Sequence, residues 1–232
     1  GNVALDMARI LTCDPHSLTA TTIARRALTM LEQSSITDVH VVGRRGAAYA
    51  AFTTPELLGL MSVPGVQVVV DTADLAAYEP SGDWIRRREF ELLLELAARP
   101  LVSGGKRVHL HFGLQPAEIA GVGTVRGMQF TQADGRVRTI EARLVLHSVG
   151  FRGNPINGVP FDDDRRIIPN IDGRVTDPAT GKPLNGVYTS GWIKRGPSGV
   201  IGTNRTCAKQ TVGNLIADHR DGILTANEPA RS

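Results

Sequence analysis

The sequence predicts an α/β chain in two parts, a Rossmann-like dinucleotide-binding domain over residues 1–149 and a second segment over residues 150–232. Three observations predict this. Gly1-Asn-Val-Ala4 leads straight into a helical pattern, as the second half of a G-x-G-x-x-A turn does. The apolar strand Val39 to Val42 ends in Gly43-Arg44-Arg45, where a dinucleotide fold reads the ribose. From Gly150 to Pro183 the chain turns rich in Gly, Pro, Asn and Asp, with room for short strands only, which sets a boundary near Val149–Phe151.

With 232 residues and 41% hydrophobic side chains, the chain suffices for one large or two ordinary domains with a real core. No apolar run reaches the roughly 18–20 residues that cross a bilayer. No basic segment followed by an apolar one marks a secretory signal, so the sequence reads as a cytoplasmic protein. A start at Gly1, directly inside a helical pattern, reads as the C-terminal part of a longer protein. Cys13 and Cys207 are too few and too far apart for a disulfide framework or a metal site. The net charge of +3 is too small to predict nucleic-acid binding, and no aromatics interleave with lysines as a stacking surface. A mild basic excess suits a phosphorylated ligand or an acidic protein partner.

Taken in order, Asn2 to Thr12 is a helix with Asn2 as its cap and Val3, Met7 and Ile10 on one face. Asp14-Pro15 breaks it, and Thr22 to Gln33 reads as a second helix. After the Val39–Val42 strand, Thr53-Thr54-Pro55-Glu56 is a helix start with proline in its first turn. Val66 to Val70 reads as a buried strand, and Asp83 to Arg99 as a long amphipathic helix with Arg86, Arg87 and Arg88 near its start. Val108 to Phe112 and Val125 to Thr131 read as antiparallel strands, Ala133-Asp134-Gly135-Arg136 as a hairpin turn, and Arg143 to Val149 as a further strand. Last come an apolar run (Gly186 to Ser190), a Gly/Pro-rich loop (Gly191 to Asn204) and a helix from Cys207 to Asp218.

Two stretches carry chemistry. A Gly1-Asn-Val-Ala4 turn brings a pyrophosphate to helix N–H groups, and the small Ala4 lets helix and strand pack closely. At the end of the following strand an acidic residue selects NAD, whereas a cation accommodates the 2′-phosphate of NADP; Arg44-Arg45 here favours NADP, because a guanidinium matches phosphate oxygens in a bidentate way. The Gly191–Asn204 loop holds Trp192, Lys194 and Arg195 among glycines and opens a helix, which reads as a binding loop. Other chemistry is weakly represented. No G-x-S-x-G elbow occurs, His109 and His111 share a strand face without a supporting ligand cluster, and Asp162-Asp163-Asp164 lacks the spacing of a calcium loop. No metal site and no catalytic acid, base or nucleophile are assigned.

Four segments together resemble the adrenodoxin-reductase-type ferredoxin–NADP reductases: Gly1-Asn-Val-Ala-Leu-Asp6; Val42-Gly-Arg-Arg-Gly46 with Ala50-Ala-Phe-Thr53; Ser148-Val-Gly-Phe-Arg-Gly153; and Gly191-Trp-Ile-Lys-Arg-Gly-Pro-Ser-Gly-Val-Ile201. They follow one another in the family's order, and the Trp-Ile-Lys-Arg-Gly-Pro stretch is the most specific. The resemblance implies a glutathione-reductase-like architecture of two dinucleotide-binding domains, an NADP domain inserted within an FAD domain. On that template residues 1–149 correspond to a three-layer NADP domain from its second glycine onward, and residues 150–232 to the returning part of the FAD domain. It implies that Asn2, Val3, Ala4 and Leu5 lie on the NADP pyrophosphate, that Arg44 and Arg45 hold the 2′-phosphate and that Glu56 sits near the nicotinamide. It further implies that Trp192 covers the flavin, and that Gly199, Val200 and Ile201 bring backbone N–H groups to flavin and nicotinamide. This chain departs from the family at Gly46-Ala47, where the family has Gly-Pro, and at Gly59, where many members carry a second glutamate.

The activity so implied is hydride transfer from NADPH to FAD, then single-electron transfer to ferredoxin, an acidic iron–sulfur protein for which Arg86, Arg87 and Arg88 are candidate docking cations. A related diaphorase with another acceptor is the competing reading. A non-catalytic NADP(H)-binding piece is a third, on which this polypeptide alone purifies colourless; a yellow preparation with about one flavin per chain is the contrary result.

Overall fold

The structure, a computed structural model, describes residues 1–75, 84–197, 199 and 201–224, with only the backbone of Ile201. It divides into two compact units, Gly1–Val149 and Gly150–Ser232.

In the first unit, helix α1 (Asn2–Thr12) and helix α2 (Arg25–Glu32) precede strand β1 (Asp38–Val42). Helix α3 (Thr54–Met61), strand β2 (Val66–Val70), helix α4 (Trp84–Ala97) and strand β3 (Lys106–His111) follow, and the three strands form a parallel sheet in the order β1-β3-β2. Residues alternate across that sheet. Val39, Val41, Val68, Val70, Val108 and Leu110 line one face, and onto them pack Leu5 and Ala8 of α1, Leu57 and Leu60 of α3, and Leu92, Leu93 and Leu96 of α4. The opposite face carries His40, Val42, His109 and His111. An antiparallel meander of β4 (Gln115–Ala120), β5 (Gly127–Thr131) and β6 (Val137–Glu141) packs at the Val42 end of that face, with Leu114, Phe130 and Ile140 closing a small second core against Val42. Helices, parallel sheet and meander make three layers.

Several expectations are corrected here. Strand β3 is parallel to β1 and β2 rather than antiparallel to residues 125–131. Its alternation of Val108, Leu110 and Phe112 with His109 and His111 looks like a strand with one wet face, but β3 is the middle strand of the parallel sheet, and on that second face His111 is buried. Strands β4 and β6 come additionally, because β4 has five exposed residues and too little apolar patterning to stand out. Arg143 to Val149 forms no strand, since no ladder partner lies beside it among the described residues. Gly1, not Asn2, caps α1, and the buried stripe of that helix is Leu5, Ala8 and Thr12, whereas Val3 and Met7 are exposed. Helix α2 starts at Arg25, three residues after Thr22, because Thr19–Thr22 form turns instead. Asp83 lies outside the described residues, so the start of α4 is described only from Trp84.

The second unit holds a small antiparallel sheet of β7 (Asn170–Ile171), β8 (Arg174–Thr176) and β9 (Pro183–Tyr188), the one-turn helix α5 (Trp192–Arg195) and helix α6 (Ile201–Arg220). Asp218 ties it together, accepting two hydrogen bonds of 2.7 Å from Arg174 of β8 and one of 2.6 Å from Tyr188 of β9. The Gly191–Asn204 stretch is therefore less of a loop than expected: it contains α5, and helix α6 starts six residues before Cys207.

Candidate dinucleotide-binding site

The site in the first unit is built where the parallel strands end. Helix α1 begins beside the loop that follows β1: Ala51 O lies 3.4 Å from where a side chain on Gly1 would begin, and the Thr53 N–H donates to Asn2 Oδ1 at 2.8 Å. The Asn2 side chain is thus spent on the loop. What Asn2 and Val3 offer a ligand is their backbone N–H groups, because the first N–H groups of a helix have no intrahelical acceptor. Ala4 and Leu5 hydrogen-bond back to the Gly1 carbonyl at 3.0 and 3.4 Å, and Leu5 is buried in the core, so these two shape the turn from below.

Arg44 and Arg45 follow β1 at the same end of the sheet, and their backbone is held from the β3–β4 connection. Gly43 N–H donates to His111 O at 2.8 Å, Gly113 N–H to Arg45 O at 3.0 Å, and the Gln115 amide to Arg44 O at 3.0 Å. Both side chains are exposed, and neither has a carboxylate partner among the described residues. The Arg45 guanidinium lies 6.0 Å from the ring centre of Tyr49, an exposed aromatic that the sequence reading passed over. A backbone pinned at three places, with two exposed guanidinium groups that meet no carboxylate among the described residues, suits an anion. Glu56 sits in the first turn of α3, half-buried, 4.0 Å from Arg9, which also pairs with Asp6.

Arg86, Arg87 and Arg88 separate. Arg86 reaches back to the Ala50 carbonyl at 2.5 Å and lies 3.5 Å from Glu89. Arg88 is shared by Glu91 at 3.1 Å and Glu95 at 3.4 Å. Arg87 is exposed and has no partner among the described residues.

On the face of the sheet opposite the main core stand three stacked imidazoles, His40 exposed, His109 partly exposed and His111 buried, with ring centres 4.6 Å apart for His40 and His109 and 5.2 Å for His40 and His111. His40 Nδ1 meets His111 Nε2 at 2.9 Å, and His109 Nε2 meets Asp38 at 2.9 Å. Burial, then the Arg138 guanidinium on β6, push the His111 pKa down to about 4, and burial also lowers that of His40. Among the described residues no group of three or more His, Cys, Asp or Glu side chains is arranged to hold a metal ion. A histidine whose pKa is lower folded than unfolded stabilises fully above the unfolded value of about 6.5, and that stability is lost as pH falls towards about 4. Burial raises the Asp74 pKa, which acts in the opposite sense. Urea unfolding from pH 7 to pH 4.5 is expected to show a loss of about 2 kcal/mol after solvent screening, and His111→Gln to flatten that slope; an equal slope in the variant refutes the assignment.

In the second unit, Trp192 opens α5 with its ring 38% exposed and 5.2 Å from that of Phe151. Gly191 (φ 75°) and Gly196 (φ 86°) bound this turn in the left-handed region that favours glycine. The two cations beside the tryptophan turn inward. Buried Lys194 donates to Gln210 at 2.8 Å and to Thr211 at 3.2 Å, and Arg195 bonds Asn204. Gly199 has φ 88°, and a side chain there would begin 2.7 Å from Thr203. Val200 lies outside the described residues, and Ile201 is seen only as the first backbone position of α6.

No family model matches the chain. A probable ferredoxin/ferredoxin–NADP reductase of Mycobacterium bovis is 45% identical over 233 residues, which is 97% of this chain and 40% of that protein. The structure of Mycobacterium tuberculosis FprA in complex with NADPH superimposes with a TM-score of 0.79 at 39% identity, covering 99% of this chain and 54% of that one. The chain is homologous to part of these reductases. The resemblance read from the four sequence segments therefore holds, and so does the mixed α/β fold with a parallel sheet. A mitochondrial NADPH:adrenodoxin oxidoreductase of Arabidopsis thaliana is 33% identical over 98% of this chain and 53% of its own length. The chain spans about half or less of the length of the curated relatives it matches. Among the described residues no helix is long and apolar enough to cross a membrane.

Proposed function

We propose that this chain supplies the NADPH site and one wall of the flavin site of a ferredoxin–NADP reductase. One observation carries the reading: two arginines with no carboxylate partner among the described residues and an open helix N-terminus share the carboxyl end of a parallel sheet, in a chain 39% identical to a reductase solved with NADPH. The backbone N–H groups of Asn2 and Val3 receive the pyrophosphate, over Ala4 and Leu5, and Arg44 with Arg45 clamps the 2′-phosphate. Glu56, tied to Arg9, lies on the nicotinamide side.

The second unit suits a flavin in its backbone. Gly191, Gly196 and Gly199 take left-handed backbone conformations and carry no side chain, and Trp192 with Phe151 offers an aromatic surface. Trp192 covers the flavin, and the backbone N–H at Gly199 is offered to the flavin ring; Val200, assigned the same part by the resemblance, lies outside the described residues. FAD, when bound, takes a hydride from NADPH and hands on electrons singly. The acceptor is a ferredoxin-type protein whose acidic surface meets Arg87, and the cytoplasm is the proposed location.

The test is NADPH oxidation by the flavin-loaded full-length protein. The expected result is electron delivery to ferredoxin with NADPH much preferred over NADH. Reduction of dyes or quinones without ferredoxin reduction makes the protein a diaphorase instead, and NADPH binding without any flavin or turnover makes it a binding module.

A further inference from the structure

Arg86 was grouped with its neighbours as a docking cation, but its contacts give it different work. Its exposed side chain reaches along the surface to the loop after β1, donating to the Ala50 carbonyl at 2.5 Å, while Glu89, one turn on and buried, stands 3.5 Å behind it. That loop is tied at three places by three different elements. The β3–β4 connection holds Arg44 and Arg45 through Gln115 and Gly113. Asn2 of α1 holds Thr53. Between these two, at Ala50, the described side-chain tie is Arg86 of α4.

We infer that Arg86 is a positioning residue for the dinucleotide, setting the distance between the arginine pair and the helix N-terminus. The inference rests on the NADPH reading of the site. A dinucleotide bridges both ends of this loop, with its adenosine at Arg44-Arg45 and its pyrophosphate at Asn2-Val3. Releasing Ala50 lets the Gly46–Phe52 segment relax and moves one end against the other. The cost falls on any dinucleotide, phosphorylated or not, because the spacing and not the 2′-phosphate is disturbed. This separates Arg86 from Arg44 and Arg45, whose loss falls on NADPH alone. It also separates Arg86 from Arg87, which has no described partner and remains available to another protein.

The experiment compares Arg86→Met, which keeps the aliphatic length without a donor, with Arg86→Lys, whose ammonium still reaches a carbonyl. Both are made in the flavin-loaded full-length protein and titrated with NADPH and with NADH. In Arg86→Met both dissociation constants are expected to rise about tenfold, the size of one charged hydrogen bond, with their ratio kept. The rate of dye reduction at saturating NADPH stays unchanged, and Arg86→Lys returns both affinities to within about threefold of the parent. Unchanged NADPH affinity with a raised KM for ferredoxin overturns the inference and makes Arg86 a docking cation. An Arg86→Met protein that fails to fold, or a loss that lysine does not restore, also overturns it. Failure of the parent protein to bind NADPH, or indifference of NADPH affinity to loss of Arg44 and Arg45, overturns the reading of the site itself. With those controls normal, only the role of Arg86 is at stake.

Discussion

Replacing Arg44 and Arg45 together by alanine is expected to weaken NADPH binding by about 3–6 kcal/mol, roughly a hundred- to ten-thousand-fold, while NADH affinity changes less than about threefold. The size follows from the state of the two side chains. Both are exposed and neither is held by a carboxylate among the described residues, so the free protein loses no ion pair when they are removed. The backbone of both residues is anchored independently of their side chains, through Gly113 and Gln115, so the loop survives the substitution. What disappears is the charge-assisted bonding to the 2′-phosphate alone. Titration of parent and double variant with both nucleotides checks it, and equal losses for NADPH and NADH show that the pair does not read that phosphate. Arg44→Lys with Arg45→Lys is expected to recover charge but only part of the affinity, since an ammonium lacks the planar fork.

Leu57→Ala is expected to destabilise the first unit by about 2–5 kcal/mol. Leu57 is 0% exposed and belongs to the cluster that joins α1, α3 and α4 to the apolar face of the parallel sheet. Removing its isobutyl group leaves a hole between elements that cannot close without moving α3 against the sheet. Glu56 precedes it and Thr53 caps the same helix, so the damage lies beside the proposed nucleotide site. Chemical denaturation with a probe in residues 1–149 is the measurement. NADPH at high concentration is expected to restore much of the lost stability, because a ligand that binds only the folded state shifts the equilibrium by mass action. A loss under about 1 kcal/mol shows that the site collapses around the smaller side chain.

These two expectations also separate what was legible in the sequence from what was not. The position of the arginine pair was legible because it depends on one short-range rule, the end of a short strand holding three valines. Helix α1, with the bounds Asn2–Thr12 read from sequence, and strand β2, Val66–Val70, were legible for the same reason. The partner of β3 was not. Its two histidines look alike in sequence, yet His111 is buried and His109 stays partly exposed, because their surroundings come from elements distant in the chain, β1 and the meander, with weak patterning of their own.

The sequence by itself determined the fold class, the relationship to the ferredoxin–NADP reductases and the arrangement of the glycines and cations along the chain. Only the tertiary structure decided which of those cations are free. Lys194, Arg195, Arg86 and Arg44 are alike as charges in a sequence. Lys194 is consumed by Gln210 and Thr211, Arg195 by Asn204 and Arg86 by the Ala50 carbonyl, whereas Arg44 and Arg45 meet no carboxylate among the described residues. The acceptors come from residues 9 to 36 positions away in the chain. No local pattern announces them, because a hydrogen bond depends on where folding places its two ends, not on the number of residues between them.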